Sequence, residues 1–224
     1  MKYITYGNFA SAPLFELCYN SFKSHYPNEL LTVYCLDKQF HDYCIHKDVI
    51  AKPWFTAASS EYQYWDLDVL SIYQKINREK FKILLHAIAN DPQVLYFDID
   101  TIHVGRVVCY LNTLEPGFYS SVYDNDVFCA GILFSNITPH SLNILTSMDY
   151  DDEKVLTHLF YKKLLAIRKL DKEIVSNPAY GTVPTRSCIV HYPGIADLSI
   201  KVRMLNGALA KSLGYNTSYL RIMV

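Results

Sequence analysis

Two carboxylates one residue apart, Asp98 and Asp100, follow directly on the apolar run Val94-Leu95-Tyr96-Phe97. A run that short, bulky and unbroken predicts a strand buried on both faces. A buried strand offers a charge no water, so the acids must sit where the strand leaves the sheet. That is the edge at which open α/β sheets form their ligand crevices. Like charges this close repel and raise each other's pKa unless a cation lies between them. A divalent ion held by hard oxygens meets that need and keeps positions for water and substrate phosphates. The alternative for such a pair is to cap the next turn.

The elements that must position these acids belong to a chain of 224 residues, enough for one large domain or two small ones. Half the residues are hydrophobic and 19% are charged, so a packed core is expected and wholesale disorder is excluded. The net charge of −1 advertises neither nucleic acid nor an anionic membrane surface. Nineteen tyrosines offer flat apolar faces with polar tips, which suit sugars and nucleobases as well as a core. The cysteines (Cys18, Cys35, Cys44, Cys109, Cys129, Cys188) form no C-x-x-C pair, and several lie in apolar runs. They read as reduced, buried thiols of a cytoplasmic-type compartment. The start, Met1-Lys2-Tyr3-Ile4, has no signal-peptide apolar region, and no run approaches a membrane span.

Taken in order, residues 2–6 predict a strand, and Pro13 opens a helix to about Ser24. Residues 30–36 and 48–51 predict two further strands, with a short polar helix or loop at 38–47 between them. Residues 56–71, with Tyr62, Tyr64 and Trp65, read as a substrate-facing loop. Phe81, Leu84, Leu85 and Ile88 repeat at helical spacing and predict a helix over about 71–89. After the metal strand come a short helix at 106–116, strands at 117–123 and 127–134, and helices at 139–147 and 152–168. A late buried strand, Ser187–Val190, runs into His191-Tyr192-Pro193-Gly194, and a last helix covers 197–212. Helices alternating with buried strands predict a largely parallel sheet with right-handed crossovers.

Several of these segments resemble GT-A-fold glycosyltransferases, most of all the glycogenin-like family 8 type and its nucleotide-diphospho-sugar transferase relatives. The opening Ile4-Thr5-Tyr6-Gly7-Asn8-Phe9 resembles the segment that cradles uridine. Val94–Val104 resembles the family's strand with its metal-binding D-x-D, Asp98-Ile99-Asp100. Phe128–Phe134 resembles F-N-[AS]-G-V, Asp152–Leu156 resembles D-Q-x-x-[LF], and His191–Gly194 resembles the late H-x-x-G. The order and intervals match over residues 3–203. The resemblance implies one GT-A (Rossmann-like) α/β domain, mostly parallel with a small antiparallel portion. A nucleotide-binding half would span 1–105, and an acceptor-side half with the C-terminal helix would span 106–224. It implies a metal-dependent, retaining transfer from a UDP-sugar to a glycan, protein or small-molecule hydroxyl.

The resemblance also assigns residues. Asp98, Asp100 and His191 are the expected ligands of Mn²⁺ or Mg²⁺, and imidazole suits Mn²⁺ better. Thr5, Tyr6, Gly7, Asn8 and Ile99 fall in the donor site. Gly194 would let backbone approach the phosphates. Arg78 and Lys82, four apart, share a helix face. Lys82 stands at the family's interval for a donor-contacting lysine, while Lys80 is expected to point elsewhere. Lys201 is expected at the diphosphate. Asp152 is placed at the anomeric carbon or the acceptor hydroxyl, with a helix N-cap as its other reading. Asp126, in the turn Asp124-Asn125-Asp126, is placed at the donor sugar. The chain departs from the family pattern at Cys129, where Asn is usual, and after Gly194, where K-P-W is missing.

Other readings use the same acids. In haloacid-dehalogenase-type phosphatases the first Asp of a D-x-D forms an aspartyl-phosphate. That motif ends the first strand, whereas 97 residues precede Asp98 here. A nucleotidyltransferase would need a Gly-rich basic loop after the first strand, which is lacking. A non-catalytic sugar-nucleotide-binding module would need only the aromatics and not the acids.

Overall fold

A computed structural model describes residues 1–55, 70–123, 127–148, 151–177, 185–193 and 201–207, without the side chains of 70–76 and 78. Residues 56–69 of the loop expected over 56–71, the turn 124–126, Gly194 and residues 208–224 lie outside the described residues, and 70–71 are already helical.

The first half is a run of parallel strands and helices: β1 (Lys2–Gly7), α1 (Ala12–His25), β2 (Leu31–Cys35), α2 (Lys38–Cys44), β3 (Val49–Pro53), α3 (Leu70–Ile88) and β4 (Val94–Phe97). There follow β5 (Thr101–His103), α4 (Val108–Leu111), β6 (Phe118–Val122), β7 (Phe128–Ser135) and a 3-10 stretch (Pro139–Thr146). The described elements close with α5 (Asp152–Tyr161), β8 (Ile167–Lys169), β9 (Val175–Ser176) and β10 (Ile189–His191). Residues 201–207 are helical.

Seven strands form one sheet in the order β3-β2-β1-β4-β7-β6-β8. β7 is antiparallel to β4 and to β6, and the other pairings are parallel. This is the α/β architecture expected, mostly parallel with an antiparallel portion. Both faces of the central strands are buried, as their unbroken apolar runs require. Tyr3, Leu31, Val33, Leu95, Phe97, Ile132 and Phe134 pack with Leu14, Phe15 and Phe22 of α1 on one face. Ile4, Tyr34, Val94, Tyr96 and Leu133 pack with Phe81, Leu84 and Ile88 of α3 and Leu156 and Leu159 of α5 on the other. The parallel strands run outward from β1 in opposite directions, β2 and β3 on one side and β4 on the other. A crevice opens at such a switch point, between the carboxyl ends of β1 and β4.

A second sheet, β5-β10-β9, closes over that edge. Its register pairs His191 with Thr101 and Ile189 with His103. Residues ninety apart in sequence thereby become neighbours, and His191 lands beside the acids that end β4.

The expected elements shift in several places. The helix foreseen over 152–168 stops at Tyr161. Lys163 takes a left-handed conformation (φ 56°), and Leu164 N–H donates to Leu159 O at 2.9 Å, a Schellman-type stop. That frees Ile167–Lys169 to extend the main sheet. The helix foreseen over 106–116 is the single turn α4, and 139–147 is 3-10 instead of α.

One buried group in this scaffold has consequences for stability. His103 is fully buried against the rings of Phe22, Tyr26 and Phe97, and neither ring nitrogen has a hydrogen-bond partner among the described residues. Burial, with His25 nearby on α1, pushes its pKa down to about 3. The unfolded chain, with an ordinary histidine value of about 6.5, takes up a proton first as pH falls. Stability from this group is therefore complete above pH 6.5 and declines toward pH 3. The expected loss between pH 7.5 and pH 5 is about 2 kcal/mol. Urea unfolding of His103→Phe should show that much less pH dependence than the parent over the same interval; parallel curves would disprove it.

Candidate active site at the carboxyl edge of the sheet

The site is assembled from the ends of β1, β4 and β10, the start of α5 and one buried turn of α3. A cavity of about 210 Å³ is lined there by Tyr6, Gly7, Asn8, Asp98, Asp100 and His191, together with Asn77, Lys80 and Asp151–Glu153. Gly7 ends β1 close against Ile99: a Cβ at Gly7 would lie 2.5 Å from Ile99 Cδ1 and 2.9 Å from Ser11 Oγ, so a larger residue would have to push these side chains aside.

Asp98, Asp100 and His191 offer ligand atoms that all lie within 4.8 Å of one another. His191 Nε2 is 3.1 Å from Asp100 Oδ1 and 3.6 Å from Asp98 Oδ2. Adjacent corners of an octahedron with bonds of about 2.1 Å are about 3.0 Å apart, so the spacing suits a divalent ion. Two carboxylates with one imidazole also suit Mn²⁺ chemically. The His191 ring has room because Gly131 has no side chain. A Cβ at Gly131 would fall 2.0 Å from His191 Cε1.

Two lysines enter the same cluster. Lys80 Nζ, with a side chain only 3% exposed, lies 2.5 Å from Asp152 Oδ2 and 3.2 Å from the Asp98 carboxylate. Lys201 Nζ pairs with Asp100 Oδ2. Burial alone would lower the Lys80 pKa, but Asp152 and Asp98 raise it well above the ordinary value. Burial likewise pushes Asp100 up, yet Lys201 and His191 outweigh it and hold the carboxyl well below the usual range. His191 is driven the other way: against burial, the Asp100 carboxylate raises it to about 10. Asp152 stays low because Lys80 outweighs its burial. Asp151, hydrogen-bonded to Asp152 and half-buried, rises to about 7. Glu153 rises through burial, with Tyr123 Oη donating to its Oε1 at 2.5 Å.

No protein-family model and no curated protein matches the chain, whereas solved structures do. The structure of the galactosyltransferase LgtC, in complex with donor and acceptor sugar analogues, is 14% identical over 99% of each chain, with a TM-score of 0.64. The glycosyltransferase GlyE of Streptococcus pneumoniae is 15% identical, over 97% of this chain and 65% of that one, with a TM-score of 0.56. Mouse xyloside xylosyltransferase 1 is 11% identical, over 85% of this chain and 96% of that one, also with a TM-score of 0.56. This chain has the GT-A glycosyltransferase fold.

Within the GT-A fold, the structure brings Tyr6, Gly7, Asn8, Asp98, Ile99, Asp100, Asp152, His191 and Lys201 to one cavity. Thr5 is fully buried and does not line it. The side chain of Arg78, Asp126 and Gly194 lie outside the described residues. The lysine expectation is corrected. Lys82 is 53% exposed and pairs with Glu79 at 2.6 Å, while Lys80 points into the site. The physical reason lies in the α3 stripe: Asn77, Lys80, Leu84 and Ala87 recur at helical spacing and are all buried. Extending the apolar stripe back by one turn would have found Lys80. Asp152 is no cap; it is the first residue of α5, after the N-cap Asp151. Tyr96, whose hydroxyl donates to Asp98 Oδ1, gave no sequence signal beyond its place in a buried strand.

Two stability predictions follow from this packing. Lys80→Ala leaves buried carboxylates without their cation and should cost about 3–5 kcal/mol. Lys82→Ala should stay within about 0.5 kcal/mol, as exposed pairs do. Equal losses in urea unfolding would reverse the assignment of the two lysines. Gly131→Ala crowds the His191 ring and should cost about 1–3 kcal/mol by the same measurement; an unchanged midpoint would contradict the close approach.

Proposed function

We propose that this protein is a metal-dependent glycosyltransferase that moves a sugar from a nucleotide-diphosphate sugar, a UDP-sugar, to an acceptor hydroxyl. The observation that carries the reading is the convergence of Asp98, Asp100 and His191 at the switch point of the sheet. The charges lining the cavity support it. Five carboxylates (Asp98, Asp100, Asp151, Asp152, Glu153) face three basic groups (Lys80, Lys201, His191) there, and the acidic surplus suits a divalent cation. Asp98, Asp100 and His191 would hold Mn²⁺ or Mg²⁺. When bound, such an ion neutralises diphosphate oxygens as a Lewis acid.

The chain's own residues do the rest. Tyr6, Gly7 and Asn8, at the end of β1, cradle the nucleoside. Lys201 offers its ammonium to the diphosphate, and Gly194 and Arg78 belong to the same donor assignment. Lys80 holds Asp152 ionised and aimed into the cavity, where it faces the anomeric carbon or the acceptor hydroxyl. Asp126 contacts the donor sugar. Retention of configuration rests on the order of the motifs. The acceptor is a sugar, as the similarity of LgtC, solved with an acceptor sugar analogue, suggests.

Calorimetric titration with UDP tests the reading. Affinity should fall at least tenfold when EDTA replaces Mn²⁺, and hydrolysis of UDP-sugars should require Mn²⁺ or Mg²⁺. UDP binding indifferent to EDTA would sink the proposal.

A further inference from the structure

His191 has two ring nitrogens, and only Nε2 faces the acids. The other, Nδ1, lies 2.9 Å from Asn177 Oδ1 and 3.5 Å from Cys129 Sγ. Asn177 is buried, follows directly on β9, and does not line the cavity. Its own orientation is fixed from the far side: Asn177 Nδ2 donates to the backbone oxygen of Val122 at 2.8 Å. Turning the amide over would set two oxygens against each other at Val122 and would present an N–H to Nδ1. The carbonyl of Val122 therefore keeps Asn177 Oδ1 toward the ring. An acceptor there keeps a proton on Nδ1, so the proton that a cation displaces is the one on Nε2, the nitrogen facing the acids. The strand that leads into Asn177 is tied down in turn. Val190 pairs with Ser176 across β10 and β9, and Ser187 Oγ donates to Ser176 Oγ at 3.0 Å.

We infer that Asn177 is a positioning residue for the metal site: through Val122, Asn177 and His191 Nδ1, the backbone of β6 sets which histidine nitrogen is free to bind metal. The inference rests on the metal reading above. It concerns a residue that neither faces the cavity nor belongs to any of the motifs.

Titration of the full chain with Mn²⁺ alone, followed by calorimetry, tests it, with thermal melting of the metal-free proteins alongside. Asn177→Ala should weaken Mn²⁺ binding about 10–100-fold, the usual cost of losing such an outer partner. Asn177→Asp keeps an acceptor at Nδ1 but sets its second oxygen against the Val122 carbonyl, so it should bind Mn²⁺ less tightly than the parent and at least about threefold more tightly than Asn177→Ala, since carboxylates serve the acceptor role well. Cys129→Ala, which removes the other neighbour of Nδ1, should stay within about threefold of the parent, as a thiol is a weak partner. If Asn177→Ala does not fold, Asn177→Leu, similar in volume and without an acceptor, takes its place with the same expected loss. Parental Mn²⁺ affinity in the alanine or leucine variant overturns the inference, and so does an aspartate variant as weak as the alanine one. A parent protein that binds no Mn²⁺ refutes the metal reading itself, whereas a binding parent with unaffected variants refutes only the role of Asn177.

Discussion

Charges of one sign, brought out of water and close together, must be balanced within the protein or by something it binds. Asp98, Asp100 and Asp152 share such a space with Lys80, Lys201 and His191, and each buried acid has a basic partner within 3.6 Å. The pKa directions express the same balance. Asp100 and Asp152 are held low because their cations overcome burial, whereas Asp98, where burial outweighs Lys80, and Asp151, hydrogen-bonded to Asp152, are raised. The pairs do more than stabilise. Lys80 ties α3 to both β4 and α5, so three elements from distant parts of the chain are fixed relative to one another by one ammonium.

That balance is possible only because of where the sheet changes direction. β1 and β4 are parallel neighbours, so their carboxyl ends open side by side. The turn after β1 approaches the D-x-D loop through Gly7 and Ile99. β10 then returns antiparallel along β5, and its register sets His191 opposite Thr101. Shifting that pairing by one residue would turn the imidazole to the other face, because strand side chains alternate. Gly131 on β7 supplies the remaining condition, an empty volume for the ring.

The sequence revealed some of this and hid the rest for definable reasons. Asp98 and Asp100 stood out because charges at the end of a fully apolar strand have few places to go. The lysine was misplaced because the helix was read from its apolar members alone. Lys80 lies on the same stripe but is a charged residue in a buried position, which periodicity of apolar residues does not register. β8 was missed because its pattern is one buried residue and two exposed ones, too little for a strand signal. The helix before it seemed longer because its stop is Lys163 in a left-handed conformation, where a glycine would have marked the end. Asn177 was invisible for a third reason. Its role depends on a carbonyl, Val122, that carries no sequence information at all.

The tyrosine content takes on a physical meaning in this setting. The core must end and a charged site begin within one or two residues of β1 and β4, and an aliphatic side chain cannot serve both sides of that boundary. Tyr6 and Tyr96 can. Their rings stack with centroids 6.0 Å apart as a continuation of the apolar packing of α3. The Tyr96 hydroxyl reaches Asp98, and Lys80 lies 5.5 Å above the Tyr96 ring. A ring of this kind gives the ammonium a favourable face while excluding water from its far side. Tyr123 also lines the cavity, and its hydroxyl donates to Glu153. These tyrosines are therefore structural and polar at once. They let the sheet carry its hydrophobic packing up to the carboxylates that line the cavity, which keeps the ion pairs strong and the ligand atoms fixed.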